Sequence, residues 1–551
     1  MYRLQLKTSL IHYLIISFIL CIYGINMLNL ARNDSAPPSH DESVHLKDSL
    51  VYYEVIKNPA QLNFKVIKDI MNRSENYPLL RPSGYYPPFV SLVTALVYFI
   101  FGTSITVTVM TNIIFVLVLV ISSYKLGELI FNRDAGLLTS IVILSFPIIL
   151  RHSVIYYLDL PLTAMVSVSS YALIKSDSFR NARFSILSGV FFGLGMLTKW
   201  TYLFFMIGPI CYLAFSGIVW ELKRDGGYDR VIYHKIFINI LLFIVMSVAV
   251  FGPYYLPILH DLLKETFRFS KGAIASGPKN LLSLASILFY PIALWQDMIS
   301  PFGFILFLFG TIVLFYSKSK QKSFLFVSML VPYVIFTFII QNKNPRYVMP
   351  WLPTIALIVS FITLKANTVK LFGKSIKIRK YVVFAVMIIM AVTFLSENQT
   401  LRSSFSKASK EKWKINDLVN AIENDIKKSK TTRSDNLKPL YVGVIPSHRF
   451  INGQTIRYYF ALRRIQINVI KLTQYQNKSV EHFIDNFDKY NYIVTKTSQN
   501  STISSLQEYV DRMHFYFYSK IKFYKLLLTL NEPDGSEVKI YKRKDIFRKI
   551  E

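Results

Sequence analysis

Residues 9–30 read SLIHYLIISFILCIYGINMLNL, and this apolar run decides the class of fold. Its 22 residues meet the length of about 20 that a helix needs to cross the hydrocarbon core of a bilayer. A basic stretch with Arg3 and Lys7 precedes the run, and no small-residue cleavage signature follows it. We therefore expect an uncleaved membrane anchor rather than a signal peptide.

The composition extends this conclusion to most of the chain. Of 551 residues, 52% are hydrophobic and 15% aromatic, and the apolar residues cluster in long runs. This excludes an ordinary soluble protein. The formal net charge of +30 would suit a nucleic-acid partner, but much of the excess of Lys and Arg lies in short loops between apolar runs, where it marks the cytoplasmic face. We expect a polytopic α-helical membrane protein with no nucleic-acid partner.

The sequence carries no recognisable cofactor motif. Cys21 and Cys211 both fall inside apolar runs, where cysteine acts as a small hydrophobic residue. We find no glycine-rich phosphate loop, no His-Glu-x-x-His zinc motif and no Gly-x-Ser-x-Gly elbow. We therefore predict no metal site, no structural disulfide and no cofactor.

Apolar runs of near-spanning length predict eleven membrane crossings. The predicted crossings are 9–30, 104–124, 135–150, 160–175, 184–198, 200–218, 236–252, 301–316, 323–341, 348–365 and 381–396. The most basic loops, which we expect to be cytoplasmic, are 175–183, 223–235, 318–322 and 365–380. These loops alternate with outside loops, which supports the assignment.

The run 87–102 breaks the alternation if it is counted as a crossing. It starts with Pro87 and Pro88 and is short, so we predict an interfacial or re-entrant helix there. It would belong to an outside loop of about 31–103, and a second outside loop would cover 253–300. We expect residues 1–396 to form one transmembrane domain.

Residues 397–551 differ in sequence pattern from the preceding chain and predict an extracytoplasmic soluble α/β domain. Residues 411–430 have the pattern of an amphipathic helix. Strand-like runs follow near 439–445, 465–470, 490–496, 515–529 and 537–542. This region holds 28 Lys and Arg against 16 Asp and Glu, a net charge of +12. That charge fits contact with anionic headgroups or an anionic substrate, and solubility explains it equally well.

Two acidic groups are the strongest candidates for chemistry. Asp41 and Glu42 follow the first crossing, and His45 shares one helical face with Asp41. A carboxylate there could accept a proton from an attacking hydroxyl, or the segment is a capped helix start. Asp159 opens another crossing on the same predicted face, in Tyr156-Tyr157-Leu158-Asp159-Leu160-Pro161. Ionisable groups at the mouths of membrane helices are functional candidates by default, although helix capping is the alternative for Asp159 as well.

Cationic candidates accompany these acids. Arg151 precedes Asp159 by about two helical turns, near enough for a positive partner. Arg346 and Tyr347 lie in a polar stretch, 341–347, on the outer face. Arginine suits bidentate contact with phosphate, but an interfacial anchor would have the same sequence. For Lys199, before Trp200, we favour the anchor.

The order of these motifs resembles the family-39 glycosyltransferases of the GT-C fold, which include protein O-mannosyltransferases and the aminoarabinose transferase acting on lipid A. The motifs are Asp41-Glu42 with His45, the paired prolines at 87 and 88, the Leu-Asp-x-Pro-like turn at Asp159, the stretch 193–199, and Pro345-Arg346-Tyr347 with Pro350 and Pro353. The resemblance covers roughly residues 1–365.

The resemblance implies transfer of a sugar from a polyprenyl-phosphate carrier to an acceptor lipid, glycan or protein on the outer face, by inverting direct displacement and without an obligatory metal. It implies Asp41 as the base with Glu42 beside it, Asp159 as a second acid, and Arg346 with Tyr347 facing the lipid phosphate. We also place His45, Tyr86, Arg151 and Lys199 at the substrate site. Tyr85 and Tyr86 stand where aminoarabinose-type members carry an acid and a lysine, so donor and acceptor cannot be copied.

Two other functions compete with the transferase. In a transporter, membrane-embedded acids would relay protons or bind a solute, but the chain shows no repeated halves and its acids lie at the mouths of crossings. In a membrane scaffold, the α/β domain would bind a partner, and Asp41 and Asp159 would be dispensable.

Overall fold

The architecture is taken from a computed structural model of the chain. It describes residues 2–59, 82–83, 85–222, 230–271, 277–278, 280–319, 321–365, 368–371, 374–377, 379–430, 439–471, 477–497 and 506–544. Most of the predicted basic loops 223–235 and 365–380 lies outside the residues whose side chains are described.

The chain divides into two compact units. The first unit comprises Met1–Ala31, Tyr85–Val90 and Val109–Arg402. The second unit comprises Arg32–Gly84, Ser91–Thr108 and Ser403–Glu551. This grouping places much of the predicted outside loop 31–103 with the C-terminal part of the chain. The predicted domain boundary between residues 396 and 397 stays a prediction.

Helices dominate the first 410 residues. In chain order they are α1 (Tyr2–Asn33), α2 (His40–Lys57), α3 (Phe89–Phe101), α4 (Ile105–Ile130), α5 (Arg133–Ser145), α6 (Pro147–Val154), α7 (Asp159–Lys175), α8 (Ala182–Met196), α9 (Tyr202–Leu222), α10 (Arg230–Lys271), α11 (Leu284–Ala293), α12 (Pro301–Phe315), α13 (Lys322–Phe338), α14 (Leu352–Lys365) and α15 (Arg379–Lys410). A π-helical turn, Leu294–Met298, follows α11, and a 3-10 helix, Pro345–Trp351, precedes α14. Strands β1 (Thr368–Leu371) and β2 (Lys374–Lys377) pair antiparallel before α15.

Six helices in the described part of the chain are long and apolar enough to cross a membrane. They are α1, α4, α9, α10, the 3-10 helix together with α14, and α15. Helices α5 and α6 form a broken pair bent by 63°, because Pro147 begins a new helix and cannot continue the previous one. Helices α3, α8, α12 and α13 are shorter and apolar. The protein is a multi-span membrane protein, and the number of eleven crossings stays a prediction.

Helix α10 is longer than its sequence pattern predicts. The predicted crossing ended at residue 252, but the helix continues through Pro253 and Pro257 to Lys271. Leu256 and Leu259 keep its surface apolar past the prolines, and membrane helices tolerate proline when neighbouring groups satisfy the freed carbonyls. Much of the predicted outside loop 253–300 is therefore helical.

The C-terminal α/β domain is present. Its elements are α16 (Ile415–Lys430), β3 (Tyr441–Val444), α17 (Gly453–Leu462), β4 (Asn468–Lys471), α18 (Asn477–Asp485), β5 (Tyr492–Lys496), α19 (Gln507–Ser519), β6 (Tyr524–Asn531) and β7 (Glu537–Arg543). The sheet order is β4-β3-β5-β7-β6. Strand β3 runs parallel to β4 and β5, whereas β7 pairs antiparallel with β5 and β6.

The predicted strand 515–529 was wrong in its first part. Residues up to Ser519 belong to α19, and β6 begins only at Tyr524. The aromatic run 514–518 has strand-like composition, but Val510, Met513 and Phe517 recur at helical spacing and are all buried in the domain core. Burial of this helical face outweighs the local strand propensity, so the segment forms a helix.

Helix α2 packs against α17 inside the second unit. Ser43 and Thr455 bring their hydroxyl oxygens to 3.2 Å, and Thr455 Oγ1 donates to the carbonyl oxygen of Pro38 at 3.2 Å. These contacts explain why residues far apart in sequence group in one compact unit.

Candidate active site

Asp159 and Lys199 form a buried ion pair in the first unit. Asp159 begins α7, and Lys199 lies in the turn after α8. The Nζ atom of Lys199 lies 2.6 Å from Asp159 Oδ1, and the two side chains are 13% and 2% exposed. The anchor interpretation of Lys199 was wrong, because a snorkelling lysine places its ammonium group at the water interface and this one faces a buried carboxylate.

Arg346 brings a second cation to Asp159. It is carried by the 3-10 helix Pro345–Trp351, whose start is fixed by Asn344, since Oδ1 of Asn344 accepts from the backbone N–H of Arg346 at 3.1 Å. Nε of Arg346 lies 3.8 Å from Asp159 Oδ2, and the arginine side chain is 17% exposed. The partners of Asp159 are therefore Lys199 and Arg346, whereas the sequence suggested Arg151.

Aromatic rings border the two cations. The guanidinium carbon of Arg346 lies 4.5 Å from the ring centroid of Tyr157 and 5.6 Å from that of Tyr347. The Nζ atom of Lys199 lies 5.1 Å from the Tyr347 ring. Cations in such positions are attracted by the ring faces and held in place. Two cations and one carboxylate leave a local charge of +1, which suits a single anionic group such as a phosphodiester.

Tyr85 and Tyr86 lie beside the turn that carries Lys199. Trp200 donates from Nε1 to the Tyr85 hydroxyl at 3.2 Å, and the Tyr254 hydroxyl donates to the Tyr86 carbonyl oxygen at 2.9 Å. The two tyrosine rings pack edge to face at 5.0 Å. The backbone of Tyr86 therefore makes a structural contact, and the role of its side chain at a substrate stays a prediction.

Arg151 belongs to a separate ion network. Its Nε donates to Glu397 Oε1 at 2.8 Å, and a terminal nitrogen donates to the Asp297 carbonyl oxygen at 2.8 Å. These contacts tie α6 to the π-helical turn and to α15. Sequence reasoning did not single out Asp297 or Glu397, because nothing in their local pattern marks them as partners of an arginine in another helix.

His152 was not predicted as a site residue, and it lies close to the Asp159 group. It is 8% exposed and its ring centroid lies 5.6 Å from that of Tyr157. Asn112 donates from its amide nitrogen to the carbonyl oxygens of Ser153 and Ile155, at 3.0 and 3.1 Å. Asn112 thus fixes the end of α6 and the loop that leads to Asp159.

The second unit holds Asp41, Glu42 and His45, all on α2. Glu42 Oε2 accepts from the backbone N–H of Ser39 at 3.1 Å and completes a capping box at the helix start. Asp41 Oδ1 lies 3.6 Å from His40 Nδ1, and its side chain is 33% exposed. His45 is buried. Of these two acids, Glu42 has a structural task at the helix start, and Asp41 is a partly exposed carboxylate.

Asp48, on the same helix, was not predicted as a site residue, because it lies in a mixed polar and apolar pattern. It is 3% exposed and accepts from the backbone N–H of Ser83 at 2.8 Å and from the Ser83 hydroxyl. Burial raises the pKa of this carboxyl above its usual range, although Lys47, Ser83 and Arg457 act in the opposite direction. These contacts hold Ser83 against α2.

Metal ligation finds no support within the described ranges. None of their His, Cys, Asp and Glu side chains form a group of three or more that could hold a metal ion.

Comparison with known proteins finds a family model that matches part of the chain and solved structures that share its fold. Residues 86–251 match the family model described as dolichyl-phosphate-mannose-protein mannosyltransferase. No curated protein matches the chain by sequence. The matched segment contains Asp159 and Lys199, which form the buried pair, but neither Asp41 nor Arg346.

Solved structures of low sequence identity share the overall fold. ArnT from Cupriavidus metallidurans bound to undecaprenyl phosphate matches with a TM-score of 0.58 at 11% identity, covering 96% of this chain and 97% of ArnT. Its apo state gives a TM-score of 0.59 at 10% identity, with 97% and 98% covered. The archaeal oligosaccharyltransferase AglB from Archaeoglobus fulgidus, in complex with an inhibitory peptide and a dolichol-phosphate, gives 0.51 at 14% identity, with 95% and 74% covered.

Proposed function

We propose that this chain, a membrane glycosyltransferase of the GT-C fold, moves a sugar from a polyprenyl-phosphate carrier to an acceptor on the extracytoplasmic face. The matched family and the fold shared with ArnT and AglB support this class of activity. The lipid phosphates bound in those two structures, undecaprenyl phosphate and dolichol-phosphate, support a lipid phosphate as the carrier. The acceptor is a lipid, a glycan or a protein.

The observation that carries the proposal is the group of Asp159, Lys199 and Arg346. Its net charge of +1 matches the single negative charge of a sugar phosphodiester. Such a pair of fixed cations stabilises charge that develops on a leaving phosphate. Asp159 holds both cations and acts as a positioning residue in this proposal, rather than as a proton acceptor.

The reaction is a single displacement. The acceptor oxygen forms a bond to the anomeric carbon of the sugar, while the bond from that carbon to the phosphate oxygen breaks and leaves its electron pair on the phosphate. The acceptor proton passes to a carboxylate, for which we propose Asp41. Configuration at the anomeric carbon inverts, because one displacement occurs from the face opposite the leaving group.

The test is sugar transfer in membranes that contain the full chain. Wild type, Asp41→Asn and Asp159→Asn are supplied with radiolabelled polyprenyl-phosphate-sugars at matched expression. We expect Asp41→Asn to lose about 10²-fold or more, the range for loss of a general base, and Asp159→Asn to lose a similar factor, of order 10²-fold, through misplaced cations.

Two exposed aspartates serve as matched controls. Asp134, paired with Arg379, is 68% exposed in the first unit, and Asp488, paired with Arg543, is 88% exposed in the second unit. Asp134→Asn and Asp488→Asn should transfer like wild type. Normal transfer by Asp159→Asn would overturn the phosphate site, and normal transfer by Asp41→Asn would remove the proposed base. Absence of transfer from every donor would favour a transporter or a scaffold.

A further inference from the structure

His152 has a buried imidazole, one nitrogen of which has no hydrogen-bonding partner in the described part of the chain. It is 8% exposed, and its Nδ1 atom is sealed from solvent and makes no hydrogen bond. Buried polar groups in folded proteins are normally paired. Because Nδ1 is closed off, a ligand group could reach this imidazole only through its other ring nitrogen, Nε2.

The surroundings of His152 connect it to the phosphate site. The Tyr157 ring contacts the imidazole at 5.6 Å between centroids and also lies under the Arg346 guanidinium at 4.5 Å. Asp159, Arg346, Arg151 and Lys199 all interact electrostatically with the imidazole. His152 therefore shares the electrostatic environment of the Asp159 group, although it is not hydrogen-bonded to any member of it.

The proposed reaction changes the charge that this environment must balance. A sugar phosphodiester carries one negative charge, which the local charge of +1 neutralises. The departing lipid phosphate is a monoester, and such groups carry a charge near −2 above their second pKa of about 6. The Asp159 group supplies nothing for the additional charge, so one more hydrogen-bond donor would stabilise the product-like state selectively.

We infer that His152 is a further catalytic residue, whose neutral imidazole donates a hydrogen bond from Nε2 to the departing lipid phosphate. The inference rests on the proposed function. A neutral imidazole carries one N–H, and we assign it to the nitrogen that is not the sealed Nδ1. The electron pair of the broken bond stays on the phosphate oxygen, and His152 transfers neither an electron nor a proton.

The test compares two lipids that differ in one charge. Undecaprenyl phosphate and undecaprenyl methyl phosphate are titrated into the purified full chain in lipid nanodiscs at pH 7.5. Loss of one hydrogen bond to a charged group weakens binding about tenfold or more. We expect His152→Ala to lose about that factor for the monoester and little for the methyl diester, and His152→Gln, which keeps an N–H donor, to retain most of the monoester affinity.

His12→Ala is the matched control, because His12 is a buried histidine of the same unit that lies near Tyr124 and Asp134 instead of Asp159. It should leave both affinities unchanged. If His152→Ala fails to fold, His152→Phe replaces it and removes the N–H while keeping a ring.

Equal losses for both lipids, or no loss, would overturn the role of His152. If wild type binds both lipids and the His152 variants bind them equally well, only this inference fails. If wild type binds neither lipid, the phosphate site of the proposed function fails with it.

Discussion

The two oxygens of Asp159 face two cations, and this changes the role that its sequence context suggests. A carboxylate paired with Lys199 at 2.6 Å and lying 3.8 Å from Arg346 is a poor proton acceptor, because the cations stabilise its ionised form. The same contacts allow Asp159 to fix the positions of the Lys199 and Arg346 side chains. The structure also changes the role expected of Glu42, because the capping box at the start of α2 gives it a structural role.

Loss of one partner of the buried pair should affect stability and transfer differently. Lys199→Gln leaves the Asp159 carboxylate buried with a weaker partner, and removal of one member of a buried pair costs about 3 kcal/mol or more. The double variant Asp159→Asn/Lys199→Gln removes both charges and should regain most of that stability, but not transfer. Thermal unfolding in detergent and radiolabelled transfer measure the two effects. A double variant with wild-type transfer would contradict the proposed phosphate site.

Helices α8 and α10 approach closely through glycines, and this packing holds the turn that carries Lys199. A Cβ atom on Gly189 would lie 2.5 Å from the Phe243 carbonyl oxygen, and one on Gly193 would lie 2.5 Å from the Val250 Cβ. Glycines four residues apart share one helix face and let backbones meet. Beyond this contact, the Tyr255 hydroxyl of α10 donates to the Met196 carbonyl oxygen at the end of α8, at 2.7 Å.

An added methyl group at this contact should destabilise the protein. Gly193→Ala would force α8 away from α10, and overpacking of this kind costs about 1–3 kcal/mol. Transfer should fall as well, since the turn after α8 would shift. Gly24→Ala in α1 is the control, because its nearest neighbour, Ile113, lies at an ordinary 3.8 Å. Thermal unfolding and transfer should separate the two variants, and equal behaviour would contradict the argument.

The charge pattern predicts how the protein is oriented in the membrane. The apolar helices make it an integral membrane protein, and the basic loops predict which ends face the cytoplasm. We propose on this basis that residues 439–544 of the α/β domain lie on the extracytoplasmic side of the plasma or inner membrane. Both native cysteines, Cys21 and Cys211, lie in apolar helices, so they can be replaced to give a background for labelling.

Cysteine labelling in intact cells tests this orientation. In the background Cys21→Ala/Cys211→Ala, Lys544→Cys in the α/β domain and Lys318→Cys in a basic loop both introduce thiols at exposed positions. A membrane-impermeant maleimide should label Lys544→Cys in intact cells, and Lys318→Cys only after the cells are broken. The reverse pattern would overturn the assigned sidedness and with it an extracytoplasmic acceptor.

Much of the fold could be predicted because its signals are local. Runs of apolar residues identify membrane helices whatever lies elsewhere in the chain, and alternation identifies most strands of the α/β domain. The predicted strand at 515–529 failed where local propensity opposed burial of Val510, Met513 and Phe517. Helix α10 continued past its predicted end because proline does not end a membrane helix whose surface remains apolar.

The candidate site was predictable only in part. Asp159 and Arg346 were found from their polar character at the mouths of apolar runs, where an ionisable group is costly without a partner. Which charges pair was not predictable. Lys199 has the sequence context of an interfacial anchor, and Arg151 lies nearer to Asp159 in sequence, yet the structure pairs Lys199 with Asp159 and Arg151 with Glu397.

The sequence alone determined that this protein is a membrane protein with an α/β domain after its last apolar helix, because apolar length and alternation are properties of a few consecutive residues. The tertiary structure decided the partners of each buried charge, the capping role of Glu42 and the burial of His152. Those depend on distances between helices that are far apart in the chain, and side-chain packing sets such distances only once the helices have assembled.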